Sequence, residues 1–306
     1  MFASTRCLLL ASLGLISTAG AVNLGTFNLR YDNPEDVAKG NGWSRRAPMI
    51  AAMIRFHQFD IVGTQEGLQN QVTDLTALMP EYSTTGCGRD DGKEAGEHVE
   101  IFYRKSKFKL LDEGHFWLSE TPDQPGSRGW DAKFPRICAW GKFEDLTTHQ
   151  TLFFFSTHFD HKGVEARKQA AALIVHKIEE IAGEHAAVLT GDFNVDQTSD
   201  SYKVLHGSDG LLRDAYELAP LKLAPDGTTN SFDAATRTSS RIDLVFVTKQ
   251  FNVSRYGVLT DTFRTSPADG PDEHTASPEF PAQVKMEHVE ARTPSDHFPV
   301  LIEATY

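Results

Sequence analysis

The 306-residue chain is short of cysteine, of basic charge and of long apolar runs, and each shortage narrows what it can be. Three cysteines are present, Cys7, Cys87 and Cys138, so at most one disulfide can form within the chain. Lysine and arginine together number 30 against 42 aspartates and glutamates, a formal net charge of −12, which speaks against gripping nucleic acid through a large basic surface. A nuclease is not excluded, because part of that negative charge can belong to a metal site, where a divalent ion reverses the potential that a phosphate meets. Low-complexity tracts and fixed-period repeats are missing too. A composition 40% hydrophobic and 24% charged, with 20 Phe, is that of a globular protein and not of a disordered one.

The one extended apolar run lies near the N-terminus. Met-Phe-Ala-Ser-Thr-Arg precedes apolar residues from Cys7 to Ile16, and Ala19-Gly20-Ala21 fits a signal-peptidase site. The run is about half the length a bilayer span needs, so residues 1–21 read as a cleaved signal peptide in preference to a membrane anchor. The expected product is a secreted, extracellular monomer spanning residues 22–306 as one domain, without stable membrane insertion. Cys7 leaves with the signal, which leaves Cys87 and Cys138 in an oxidising compartment; a disulfide between them is expected over two separate buried thiols. Asn252-Val253-Ser254 is a glycosylation sequon, with meaning only in a eukaryotic host.

Strand candidates are Val22 to Arg30, Asp60 to Gln65, Val99 to Tyr103, Ile137 to Phe143, Thr151 to Thr157, Ala187 to Gly191, Ile242 to Val247 and Phe298 to Glu303, each rich in β-branched or aromatic residues. Helical periodicity is clearest from Glu165 to Ile181. A second helix fits Ser44 to Phe59, with Ser44 as N-cap and Pro48 in the opening turn, and a third runs from Leu68 to Met79. Strands that follow one another directly among helices favour a two-sheet sandwich over a strictly alternating sheet. Thr262 to Pro294, rich in Pro, Asp, Glu, Thr and Ser, reads as a long surface loop.

Five strand candidates end beside polar residues suited to metal and phosphate chemistry: Asn28 in TFNLR, Glu66 in GTQE, His158 in STHFD, Asp192 and Asn194 in TGDFN, and Asp296-His297 in SDHFP. Asp243 in RIDL lies inside a sixth. Singly each has a bland explanation, such as a turn for Asp192-Phe193-Asn194 or a helix cap for Glu66. Their joint occurrence at strand ends, where rigid scaffolds present reactive groups, favours one shared site.

In this order the motifs resemble those of the endonuclease/exonuclease/phosphatase (deoxyribonuclease I-like) superfamily, which includes abasic-site endonucleases, neutral sphingomyelinases, inositol polyphosphate 5-phosphatases and nocturnin-like deadenylases. The resemblance runs from Asn28 to His297. It implies a four-layer α/β sandwich, two mixed β-sheets face to face flanked by helices, and a metal-dependent phosphoesterase. Glu66, assisted by Asn28, would hold Mg²⁺, with Mn²⁺ as a substitute. Asp192 would orient or deprotonate the attacking water, Asn194 would fix the phosphate or that water through its amide, and His297, its ring oriented by Asp296, would contact a non-bridging oxygen. The resemblance leaves the base open between Asp192 and His297. His158 would act at the phosphate or near the leaving group, and Asp243 would orient His158 or Asn194.

Further substrate-binding candidates are His98 and Tyr103, from a segment resembling the family's core strand, and Arg136, suited to bidentate phosphate contact unless it forms an exposed salt bridge. His161 would extend the cleft or cap the following helix. The substrate class stays open among nucleic acid, sugar phosphate and lipid head group. The acidic balance leans away from a tightly binding nuclease, and a non-catalytic binding protein on the same fold, which predicts damaged motifs, is disfavoured because every motif position holds a competent side chain.

Overall fold

The computed structural model describes residues 20–207, 210–265 and 289–306. Strand β1 (Val22–Asn28) is followed by helices α1 (Pro34–Ala38) and α2 (Trp43–Phe56), strand β2 (Ile61–Gly67), helix α3 (Gln69–Leu78) and strands β3 (Tyr82–Gly88), β4 (His98–Arg104), β5 (Phe108–Trp117), β6 (Ile137–Asp145) and β7 (Thr151–His158). Then come α4 (Val164–Ala182), β8 (Ala186–Asp192), α5 (Asp200–Gly207), β9 (Arg213–Asp214), α6 (Ala215–Leu218), β10 (Leu221–Leu223), β11 (Asp243–Val247), β12 (Asn252–Val258), β13 (Phe263–Thr265), β14 (Glu290–Arg292) and β15 (Val300–Thr305).

Two main sheets result, ordered β10-β12-β15-β1-β2-β4-β3 and β5-β6-β7-β8-β11-β9, while β13 and β14 pair apart from them. Both are mixed: β1 is parallel to β2 and antiparallel to β15, and β8 is parallel to β7 and antiparallel to β11. The run Phe153-Phe154-Phe155 explains the layering. Alternate residues of a strand face opposite ways, so a continuous apolar run needs cover on both faces. Phe154 enters the core between the sheets with Leu24, Ile101, Val188 and Ile302. Phe153 and Phe155 face the other way, onto Ile174 and Ile178 of α4. On the far side Phe27, Val62 and Phe102 meet Ile50 and Ile54 of α2 and Val72 and Leu75 of α3. The architecture is therefore the four-layer sandwich expected from the sequence.

All eight expected strands and all three helices form, with shifted ends. Helix α2 starts at Trp43 behind Gly42, not Ser44, and Pro48 falls in its second turn. Strands β3, β5 and β12 escape the sequence reading because their apolar alternation is broken: β3 is Tyr-Ser-Thr-Thr-Gly-Cys-Gly, and the middle of the edge strand β5 is charged and exposed.

The expected disulfide does not form, and Cys87 and Cys138 are both free and buried. Cys87 packs in the layer between the sheets, whereas Cys138 points to the opposite face of its own sheet, beneath α4. Burial, with the nearby Glu100 carboxylate adding to it, pushes the Cys87 thiol up to about 12. Of the expected signal peptide, residues 1–19 lie outside the described residues, as do 266–288 of the expected loop, whose flanks pair as β13 and β14. Asn252 of the sequon is exposed. Among the described residues no helix is long and apolar enough to cross a membrane.

Candidate active site

Strand register builds most of the site. Parallel pairing of β7 with β8 sets His158 opposite Asp192, and antiparallel pairing of β8 with β11 sets Asp192 opposite Asp243. From the other sheet, β1 ends at Asn28, and β2 brings Glu66 at a bulge where its ladder with β4 slips between Thr64 and Gly67. Glu66 has φ 65°, a strained conformation for a glutamate, of the kind held at functional sites by the surrounding fold. Asn194, at φ 51°, turns the chain after Asp192, a conformation that asparagine tolerates better than most residues.

His297 arrives from the opposite end of the chain. Ser295 Oγ donates to the Asn28 carbonyl (2.7 Å), and the amides of Asn230 and Ser231 donate to the Asp296 carbonyl (2.8 and 3.2 Å). Below them the buried Arg46 guanidinium donates to four carbonyls, those of Asn41 (2.8 Å), Leu29 (2.6 Å), Pro294 (3.1 Å) and Arg30 (3.0 Å). It thereby braces the end of β1 against the segment that carries Asp296 and His297.

Asp192, 1% exposed, is the hub. Asn28 Nδ2 (3.0 Å) and the Asn194 amide (2.9 Å) donate to its carboxylate, with His158 Nε2 at 3.6 Å and His297 Nε2 at 3.9 Å. Burial pushes its carboxyl up to about 7, helped by Asp243 and opposed by His297. The two histidines diverge in charge. His297 Nδ1 lies 2.9 Å from Asp243 Oδ2, and although burial disfavours its charge, Asp243 holds the ring well above the usual histidine range, as imidazolium. Burial and the guanidinium groups of Arg136 and Arg89 hold His158 well below that range, as neutral imidazole. Asn194 Nδ2 donates to His158 Nε2 (3.1 Å), which assigns the ring hydrogen to Nδ1.

Glu66, His158 and Asp192 offer ligand atoms within 4.8 Å of one another, and so do Asp192, Asp243 and His297. Burial raises the carboxyls of Asp296 and Glu97, with Glu66 adding to the rise in each. Asp243 Oδ1 is buried with no donor. This surplus of desolvated carboxylate oxygen, one of them orphaned, fits a hard divalent cation bound through oxygen.

Asn28, Glu66, His158, Asp192, Asn194, Asp243, Asp296 and His297 all reach this rim, but three relations differ from the sequence reading. Asp243, not Asp296, orients His297, because Asp296 turns toward Arg30 Nη1 (3.8 Å). Asp243 consequently serves neither His158 nor Asn194. Asn194 spends its amide hydrogens on His158 and on the Phe159 carbonyl (3.0 Å), so its oxygen is the atom left for a ligand or water.

Tyr103 is not brought to the site: it lies at the far end of β4 with its ring against Phe143 in the core between the sheets. His98 turns to the outer face of β4, bonded to Glu100 (3.2 Å) and the Glu94 carbonyl (3.2 Å). Arg136 is buried, not in an exposed salt bridge, between Glu97 and Asp160, each at 3.7 Å. His161 accepts from Arg136 Nη2 (3.3 Å) and does not cap α4, whose first amides go instead to Asp131. Sequence reasoning passes over Arg46, Arg89, Glu97 and Ser295. Of these only Ser295, beside Asp296, carries a local signal.

The chain is 46% identical to an endonuclease/exonuclease/phosphatase family protein from Bacteroides thetaiotaomicron whose crystal structure superposes with a TM-score of 0.86, over 94% of this chain and 98% of that one. It is equally 46% identical to the mannosyl-6-phosphatase of Bacteroides thetaiotaomicron VPI-5482, at a TM-score of 0.84 over 93% and 100% of the two chains. The human nocturnin catalytic domain, at 16% identity and a TM-score of 0.67 over 93% of each chain, shares the fold. An uncharacterised protein of Acanthamoeba polyphaga mimivirus is 23% identical over 181 residues, 49% of this chain and 26% of that protein, so the match spans about a quarter of the relative. With residues 25–297 matching the Endonuclease/Exonuclease/phosphatase family, the chain belongs to that family.

Proposed function

We propose that the protein is a secreted phosphoesterase dependent on Mg²⁺ or Mn²⁺ that hydrolyses a sugar phosphate by in-line attack of water. The observation that carries this reading is the meeting, around Asp192, of an imidazolium, a neutral imidazole and a surplus of carboxylate oxygens, which together can activate water and receive phosphate charge. The likeness to a mannosyl-6-phosphatase over nearly the whole chain supports a sugar phosphate, and the N-terminal apolar run before Ala19-Gly20-Ala21 supports export.

Glu66 and Asn28 are the residues that would hold the ion, which when bound neutralises phosphate oxygens and the leaving oxygen. Asp192, whose carboxyl burial raises above the usual carboxylate range, is placed to take a proton from the attacking water. Asn194 Oδ1 accepts from the same water. His297 donates from Nε2 to a non-bridging oxygen, kept charged and aligned by Asp243. His158 stays neutral and lines the leaving-group side.

The test is hydrolysis by the purified mature protein, with Mg²⁺, Mn²⁺ or chelator, of sugar phosphates, inositol phosphates, single-stranded DNA, RNA, sphingomyelin and bis(p-nitrophenyl) phosphate. Metal-dependent release from sugar phosphates that is lost in His158→Ala, Asp192→Ala and His297→Ala is the expected result. Hydrolysis indifferent to those substitutions would sink the mechanism, and preference for DNA or RNA would reassign the protein as a nuclease.

A further inference from the structure

Beside His158 stands a carboxylate that the scheme above leaves idle. Glu97 precedes β4, and its Oε2 accepts from Arg89 Nη1 (2.6 Å) and lies 3.7 Å from both Arg136 Nη1 and His158 Nδ1. Its other oxygen, Oε1, accepts from no protein donor among the described residues, while 19% of the side chain stays exposed. One oxygen is therefore anchored and the other presented. On the other side of Arg136 is the exposed ring of His161, whose Nδ1 accepts from Arg136 Nη2 (3.3 Å). Since a guanidinium only donates, the ring hydrogen belongs on Nε2, which has no protein acceptor among the described residues.

We infer that Glu97 Oε1 and His161 Nε2 form a leaving-group subsite for neutral hydroxyls, and that the substrate is a phosphorylated sugar or polyol whose hydroxyls donate to Glu97. This rests on the phosphoesterase reading and adds to it the residues that select the alcohol. A hydroxyl both donates and accepts, which an acceptor and a donor flanking one guanidinium are suited to meet. The carboxylates of Glu97 and Asp160 offset the guanidiniums of Arg89 and Arg136, whose Nε atoms and Arg136 Nη1 are buried without hydrogen-bond partners, so the surroundings of Oε1 carry little net charge and suit a neutral hydroxyl better than a cationic head group such as choline. A nucleobase needs an open aromatic surface. Phe134 is already engaged, with Arg89 at 5.0 Å and Lys133 at 5.1 Å from its centroid and the His161 ring tilted against it at 5.8 Å. The anchoring of Oε2 fixes the carboxylate before the ligand arrives, so little ordering cost falls on binding.

The experiment is a cycle between enzyme and substrate. Wild type and Glu97→Gln, each with Mg²⁺, are assayed on mannose 6-phosphate, its monodeoxy analogues, choline phosphate, a nucleoside monophosphate and p-nitrophenyl phosphate. For wild type, at least one monodeoxy analogue is expected to lose roughly 10–10² in kcat/KM, the scale of one hydrogen bond to a charged group. In Glu97→Gln the parent sugar phosphate loses a similar factor, and removing that same hydroxyl costs nothing further. His161→Ala, at an exposed position, gives a second arm with the same non-additivity at a different hydroxyl. Losses that multiply at every position, a wild type indifferent to all deoxy substitutions, or preference for choline phosphate or the nucleotide would each overturn the subsite while leaving a phosphoesterase. A wild type that hydrolyses none of the esters overturns the phosphoesterase reading beneath it.

Discussion

Replacing Arg46 by methionine tests whether the site depends on a brace below it. Arg46 is 1% exposed and serves the carbonyls of Leu29, Arg30, Asn41 and Pro294. Methionine keeps much of the apolar stem and removes every donor. Each deprived carbonyl costs roughly 1–2 kcal/mol, about 4–8 kcal/mol together. Part returns, because the buried guanidinium was itself costly to desolvate, as its pKa pushed down to about 10 indicates, and because water enters the gap. The net expectation is a loss of about 3–5 kcal/mol, which at roughly 2–4 °C per kcal/mol for a domain of this size lowers Tm by roughly 6–20 °C. Thermal melts of metal-free protein read this directly. Arg46→Lys recovers less than half, since one ammonium cannot match a planar fork to four carbonyls. A drop of less than ~1 kcal/mol in Arg46→Met would refute the reasoning, because it would mean that the carbonyls find other donors at no cost.

Asp243→Asn should lower kcat by roughly 10²–10⁴ with little change in KM, because the amide keeps the shape but no longer holds His297 charged; an unchanged kcat would remove His297 from the chemistry. Asp160 gives a pH prediction: burial alone would raise its carboxyl, but the amides of Gly163, Lys162, Lys133 and Phe134 outweigh it and bring it down to about 2. A depressed carboxyl stabilises the fold above its unfolded value of about 4 and loses that contribution as pH falls through about 2, so urea midpoints of wild type and Asp160→Asn should differ steadily from pH 7 to 5 and converge toward pH 2. Convergence at alkaline pH instead would contradict the assignment. Both thiols should resist a thiol reagent at pH 8 until the protein is unfolded, and reducing agent should leave Tm unchanged; a reductant-sensitive Tm would restore the disulfide. Mg²⁺ at about a hundred times its Kd should raise Tm by roughly 5–10 °C, and Glu66→Gln should abolish that shift.

The sandwich was legible because its central strands carry unbroken apolar runs, as in Phe153-Phe154-Phe155, whose two faces need separate partners. Edge strands such as β5 were not, since exposure relaxes the pattern that betrays a strand. The residues gathered around Asp192 were legible for a related reason: each sits at or beside the beginning or end of an apolar strand. What joins them was not. That Asp243 serves His297 depends on a side-chain path between residues 54 positions apart, and the Ser295 tie to Asn28 spans 267. No local pattern in Ala-Arg-Thr-Pro-Ser encodes its partner near the other end of the chain. The cysteines mark the same limit, since their opposed facing is set by which side of which strand each occupies.

The neighbours of β1 have a bearing on when the candidate site can assemble. Its antiparallel partner is β15, the last strand, which also separates it from β12. A chain emerging from the ribosome N-terminus first therefore carries β1 with one edge unsatisfied until β15 has been made, and His297 emerges just before β15. Contacts of such long sequence separation form slowly. A chain made only as far as Thr293 accordingly lacks both the partner strand and the imidazolium, so the cluster around Asp192 comes together only once β15 has been made and not gradually along the nascent polypeptide. A ribosome-bound chain arrested before Ser295 therefore carries Asp192 and Asp243 without the histidine that pairs with them.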